Sequence, residues 1–128
     1  MQNTAHEEDE FVSEQARRKE LLARYRQTRP EAGVYRIFNN RNNKTLLGST
    51  PNLRSIRSKL EFARSTNLPG VLDWQLSKDI REFGIDAFSL EVLEVLETKP
   101  ETTPAEILED LATLEKLWRE RFDPSLLY

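Results

Sequence analysis

"GVYRIFNNRNNKTLLGST", residues 33–50, places apolar residues at its two ends and crowds Asn and Arg into its middle. That pattern predicts two short strands over residues 33–48, with Asn39 to Asn43 as the polar turn between them. Glycines bracket the hairpin, and Tyr35 stands just after the first of them. The stretch reads either as a plain sheet edge or as one wall of an active site. The rest of the chain has to decide.

The chain has 128 residues, enough for one compact domain. Charged residues make up 32% and hydrophobic ones 38%, a balance usual for a globular protein. No apolar run reaches bilayer-spanning length, and the Met1 end is acidic, unlike a signal peptide. No membrane partner is expected, and the cytoplasm is the simplest compartment. Without cysteine there are no disulfides, thiolate zinc sites or thiol nucleophiles. His6, the lone histidine, lies in an acidic leader, which leaves no material for a histidine metal cage or a Ser/His/Asp triad. Any chemistry must run on Tyr, Arg, Lys, Asp and Glu. The net charge of -3 argues against coating nucleic acid by bulk attraction. A local basic face is still available: Arg54, Arg57, Lys59 and Arg64 stand against one acid, Glu61, while acids gather at residues 7–10 and 91–110.

Outward from the hairpin, residues 1–10 read as a disordered tail and residues 11–28 as a helical extension. Within that extension Phe11, Arg18, Leu22 and Tyr25 share a face, Glu14–Arg18 and Glu20–Arg24 are supporting pairs, and Pro30 ends the helix. Thr50-Pro51 signals a helix start, and from there to about Ser65 Leu53, Ile56, Leu60 and Ala63 line one side. A loop over 65–70 leads to a helix from about Leu72 to Phe83, closed by Gly84. "AFSLEVLEVL" alternates as a strand. A linker follows, then a capping box at Thr103-Pro104-Ala105-Glu106, a last helix to about Phe122, and a short tail over 123–128. The order describes a small α/β domain of the α+β kind, a short sheet covered by helices. Trp74 and Trp118 are read as core residues.

One carboxylate is out of place. On the last helix Ile107, Leu111, Leu114, Trp118 and Phe122 form an apolar stripe, and Glu115 falls within its arc. Burying an unpaired carboxylate costs several kcal/mol. Glu115 must be ion-paired, hydrogen-bonded, exposed at the stripe's edge, or bound to a metal.

Taken in order, Gly33-Val34-Tyr35, then Leu46-Leu47-Gly48, then Ser49 to Leu53 opening a helix, then Leu76 through Gly84 and Phe88, then Glu115 three before Trp118, the chain resembles the GIY-YIG nuclease superfamily. The resemblance spans roughly residues 32–122. It implies a short three-stranded antiparallel sheet flanked by helices, with the first helix as an addition. It also implies hydrolysis of phosphodiesters with one divalent ion, Mg²⁺ or Mn²⁺, held by Glu115, with Tyr35 activating or positioning water. Such chemistry needs an aligned nucleophile and positive charge to meet the transition state.

Carried over residue by residue, the resemblance is incomplete. The second-motif tyrosine falls on Leu46, the helix arginine on Ile56, and the polar position one turn later on Leu60. Arg57 is the neighbouring candidate for the arginine's role, but it is rotated by about 100° from Ile56. Losing one electrostatic stabiliser costs roughly 10²–10³ in rate, so a weak or inactive site is expected. The first expectation is therefore a domain that binds nucleic acid, DNA rather than RNA, through Arg54, Arg57, Lys59 and Arg64. The alternatives are a working endonuclease with Arg57 or Arg54 standing in, and a module that binds a protein partner through its acidic surface and first helix.

Overall fold

The computed structural model describes residues 13–21, 29–68 and 72–128. The expected tail over 1–10, and Phe11, Leu22, Arg24 and Tyr25 of the first helix, lie outside the described residues. Residues 13–21 are helical (α1), and every one of them is exposed.

Two strands, β1 (Gly33–Asn39) and β2 (Thr45–Thr50), form the hairpin, and β3 (Phe88–Val95) lies on the other side of β1. The sheet is antiparallel throughout, in the order β2-β1-β3. The polar turn closes through Asn39 N–H to the Lys44 carbonyl, with Asn43 in the left-handed conformation. Around the sheet lie α2 (Leu53–Thr66), a 3₁₀ turn (Trp74–Leu76) running into α3 (Ser77–Phe83), a second 3₁₀ turn (Ile85–Ala87), and α4 (Pro104–Arg119). The α+β class and the three-stranded antiparallel sheet expected from the sequence are what the chain forms.

Alternation puts Tyr35, Ile37 and Asn39 on one face of β1. On that face Ile37, Leu46 and Phe88 pack with Leu60 and Ala63 of α2, Leu76, Ile80 of α3, Ile85 and Ala87. A smaller cluster of Ala32, Ile107 and Leu111 seats α4, which also runs along β2 and β1. Trp118 of α4 donates its indole N–H to Glu94 of β3 at 2.9 Å.

Several boundaries move for local reasons. The helix start expected at Thr50-Pro51 shifts to Leu53, with Asn52 at the cap. Thr50 Oγ1 instead accepts the Asn52 N–H at 3.1 Å, spending its oxygen on the turn. Thr103 caps α4 as expected, its Oγ1 accepting from Glu106 N–H at 3.2 Å, with Pro104 in the first turn. Gly84 closes α3 at φ 86°, a conformation glycine adopts at little cost, and its N–H reaches the Ile80 carbonyl. Residues beyond α4 form a further 3₁₀ turn, Pro124–Leu126. The Tyr128 N–H then bonds the Thr45 carbonyl at 3.0 Å, and Leu127 bridges Thr45, so the chain's last residues lie along β2.

Candidate functional site

Tyr35 sits on the central strand, opposite Gly48 of β2 and Val92 of β3. Its ring lies across Gly48. A Cβ on that glycine would stand 2.6 Å from the phenol oxygen and 2.7 Å from the ring carbon that bears it. Gly48 is therefore the floor on which Tyr35 rests.

Gly33 has a separate reason to lack a side chain. Tyr35 faces Val92 while Val34 faces Glu94, so Leu93 is an extra residue that bulges β3 against β1. Beside that irregularity β3 backbone comes so close that a Cβ on Gly33 would meet the Glu94 carbonyl oxygen at 2.4 Å.

The Tyr35 phenol is half-buried, and among the described residues nothing hydrogen-bonds it. Burial pushes its pKa above the ordinary tyrosine value, and the charges of Asp73 and Glu115 push in the same direction. Two carboxylates from distant parts of the chain thus bear on one phenol. Glu115 arrives on α4, half-buried within the apolar stripe. Among the described residues it has no hydrogen bond or ion pair, which removes two of the four explanations its position allowed. What remains is exposure at the stripe's edge or a cation from outside the chain. Asp73 arrives as the cap of the 3₁₀ turn, its Oδ1 accepting the Gln75 N–H at 2.8 Å. Sequence reasoning misses Asp73 at the site: a capping signal before an apolar run is visible, but nothing local ties it to a tyrosine 38 positions earlier.

Leu46, Ile56 and Leu60, the three positions for which the resemblance implied polar groups, are aliphatic side chains in the core or at its edge. Leu46 is buried beside Ile37, Leu60 is buried in the same cluster, and Ile56 is half-buried. Helix α2 is regular α from Leu53 to Thr66, with no irregularity that would turn Arg57 inward. Arg57 is exposed.

The basic residues of α2 do not form one patch. Arg54, Arg57 and Arg64 are three and seven positions apart and share one flank, while Lys59 is turned to the opposite flank. Arg64 is partly committed to the fold, donating from Nη2 to the Phe88 carbonyl at 2.9 Å. Arg54 and Arg57 carry no such hydrogen bond among the described residues.

The tryptophans divide. Trp118 is half-buried, bonded to Glu94, with the Arg121 guanidinium 4.6 Å from its ring centre. Trp74, expected in the core, is 79% exposed. The core face of its helical run is taken by Leu76 and Ile80, and the 3₁₀ geometry at Trp74 turns the indole outward.

No protein-family model matches this sequence, and neither curated proteins nor solved structures supply a match.

Proposed function

We propose that this chain is a GIY-YIG-like domain that binds nucleic acid, DNA in preference to RNA, and whose catalytic equipment is weak or lost. The reading rests on one arrangement: the phenol of Tyr35 laid across Gly48 within the field of Glu115, surrounded by aliphatic residues at the places a phosphate would need charge. The tyrosine and the acid are kept, and the cationic and hydroxyl partners are not. A cytoplasmic location accompanies this reading. Among the described residues no helix is long and apolar enough to cross a membrane.

The metal belongs to the second reading, an active endonuclease, which the reach of the Glu115 charge to the Tyr35 phenol favours. Among the described residues no three or more acidic or imidazole groups gather to hold an ion. Mg²⁺ and Mn²⁺ take about six oxygen ligands, and Mg²⁺ commonly uses one or two carboxylates with water and substrate phosphates for the rest. Glu115 could supply one such carboxylate, with water and substrate phosphates supplying the other ligands, and the binding reading needs no metal.

Binding comes from Arg54 and Arg57 on the free flank of α2, which meet backbone phosphates as charges. Titration of labelled single- and double-stranded DNA and RNA should show binding that weakens steeply with salt and is indifferent to chelator. Arg54→Ala with Arg57→Ala should lower the salt slope by roughly 0.7–0.9 for each phosphate that is no longer neutralised, while Lys59→Ala, on the other flank, should change it less. No affinity for any nucleic acid at low salt would leave the protein-interaction module as the surviving reading.

A further inference from the structure

We propose that the segment 123–128 guards the outer edge of β2, and that an edge freed of it pairs with β2 of a second copy of this chain. The inference is independent of the nucleic-acid reading. A sheet in the order β2-β1-β3 has two outer edges, and each offers N–H and C=O groups to a foreign strand. On β3 the bulge at Leu93 and the exposed Glu91 and Glu94 discourage such pairing. β2 has neither device: Thr45-Leu46-Leu47-Gly48-Ser49-Thr50 carries no charge and no proline.

What lies on β2 instead is the segment after α4. The Tyr128 N–H bonds the Thr45 carbonyl at 3.0 Å, and Leu127 forms a parallel bridge with Thr45. The Tyr128 ring packs against the main core cluster, its hydroxyl donating to Asp79 at 2.6 Å and accepting from Asn39 at 3.0 Å. The 3₁₀ turn Pro124–Leu126 leads into this contact, capped by Asp123, whose Oδ1 accepts the Ser125 N–H at 3.0 Å. Main-chain pairing along an edge, with one side chain anchored beside it, is how sheets hold an added peptide.

The register shows what the guard withholds. Thr45 accepts from outside the sheet, so by alternation Leu47 and Ser49 also direct their N–H and C=O outward. Among the described residues those outward groups have no hydrogen-bond partner. With Thr45 covered, two open positions remain, fewer than the shortest usual strand. Uncovered, Thr45, Leu47 and Ser49 make one continuous row. Antiparallel pairing of two such rows about Leu47 sets each Thr45 opposite the other copy's Ser49, and no like charges meet. Each facing pair exchanges two N–H···O bonds, and the contact, being the same on both copies, closes as a two-fold dimer.

Sedimentation of the full chain tests this, with Tyr128→Pro removing the N–H, the ring and the hydroxyl together. The intact chain should sediment at the mass of one chain, and Tyr128→Pro should shift to the mass of two as concentration rises. Adding Ser49→Pro deletes an outward N–H that the fold does not use, and should return that variant to one. Circular dichroism reports whether Tyr128→Pro keeps its fold. If it does not, Tyr128→Phe decides: it keeps the ring and the N–H but loses the hydroxyl's bonds, and should dimerise at higher concentration. A folded Tyr128→Pro at the mass of one chain overturns the proposal, as does a monomeric Tyr128→Phe where Tyr128→Pro has unfolded. Dimers that survive Ser49→Pro, or an intact chain already paired until Ser49→Pro separates it, overturn it as well.

Discussion

Tyr35 and Gly48 are ten and more residues apart in sequence yet form one unit, because an antiparallel hairpin sets them directly opposite. Gly48→Ala must displace the tyrosine ring, and a half-buried ring on a central strand has little room to yield. We expect a loss of about 1–3 kcal/mol, read from urea unfolding, and a much smaller loss when Tyr35 is already Ala. The coupling in that double-mutant cycle is the signature of ring against glycine; additive losses would mean that Gly48 serves something other than Tyr35. Gly33→Ala meets main chain, which cannot rotate away, and should cost at least as much. At this scale the sequence is informative about Tyr35, Gly48 and Glu115, since each stands out from its surroundings by type. It is silent about Asp73, whose relation to the site exists only after the chain has folded back on the sheet.

On helix α2 the buried residues are distinct from the arginines proposed to bind DNA. Its inner line of Leu53, Leu60 and Ala63 is buried, while Arg54 and Arg57 stand outside. Leu60→Ala should therefore cost about 2–5 kcal/mol through the cavity it leaves, measured by thermal or urea unfolding. Arg57→Ala should shift stability by no more than about 0.5 kcal/mol and show its effect in DNA binding instead. A large stability loss for Arg57→Ala would place the guanidinium in the fold rather than on the surface. Elements are legible in the sequence wherever periodicity is long: α2, α4 and β3 lie close to where apolar spacing and caps put them. Short runs are not. A capping threonine can serve a turn as readily as a helix, which moves the start of α2 by two residues. Trp74, expected in the core as a large aromatic, stands instead on a 3₁₀ turn opposite the buried line of Leu76 and Ile80.

Across the whole molecule, one polar network ties the hairpin turn, α3 and Tyr128 together. Asn39, fully buried on β1, donates to Tyr128 Oη at 3.0 Å and accepts the Arg41 N–H, while Tyr128 donates to Asp79 of α3. Asn42 of the hairpin turn donates to the same Asp79 carboxylate. Turn, α3 and the last residue are thereby joined through one carboxylate, a connection no local pattern in the sequence announces. Tyr128 of this network, with Tyr35, gives the fold a pH dependence. Burial, then the hydrogen bond to Asp79, raises the Tyr128 pKa, and burial with two carboxylates raises that of Tyr35. The folded chain therefore keeps these protons at pH values where the unfolded chain has lost them. The stabilisation is fully present below the ordinary tyrosine value of about 10 and is lost as pH rises through the raised folded values. Unfolding midpoints of the intact chain should fall above pH ~10, and Tyr35→Phe and Tyr128→Phe should each flatten that fall. Identical slopes for all three proteins would rule out these tyrosines as its source.

At the same scale, a nuclease-type fold is proposed to survive here without most of its phosphate-handling groups. The most direct test is a cleavage assay on single- and double-stranded DNA and RNA with Mg²⁺ or Mn²⁺, run beside chelator and Glu115→Ala. Nucleic acid should be bound but left uncut, or cut so slowly that the rate is barely separable from the controls. Rapid cleavage, abolished both by chelator and by Glu115→Ala, would show instead that the site still works.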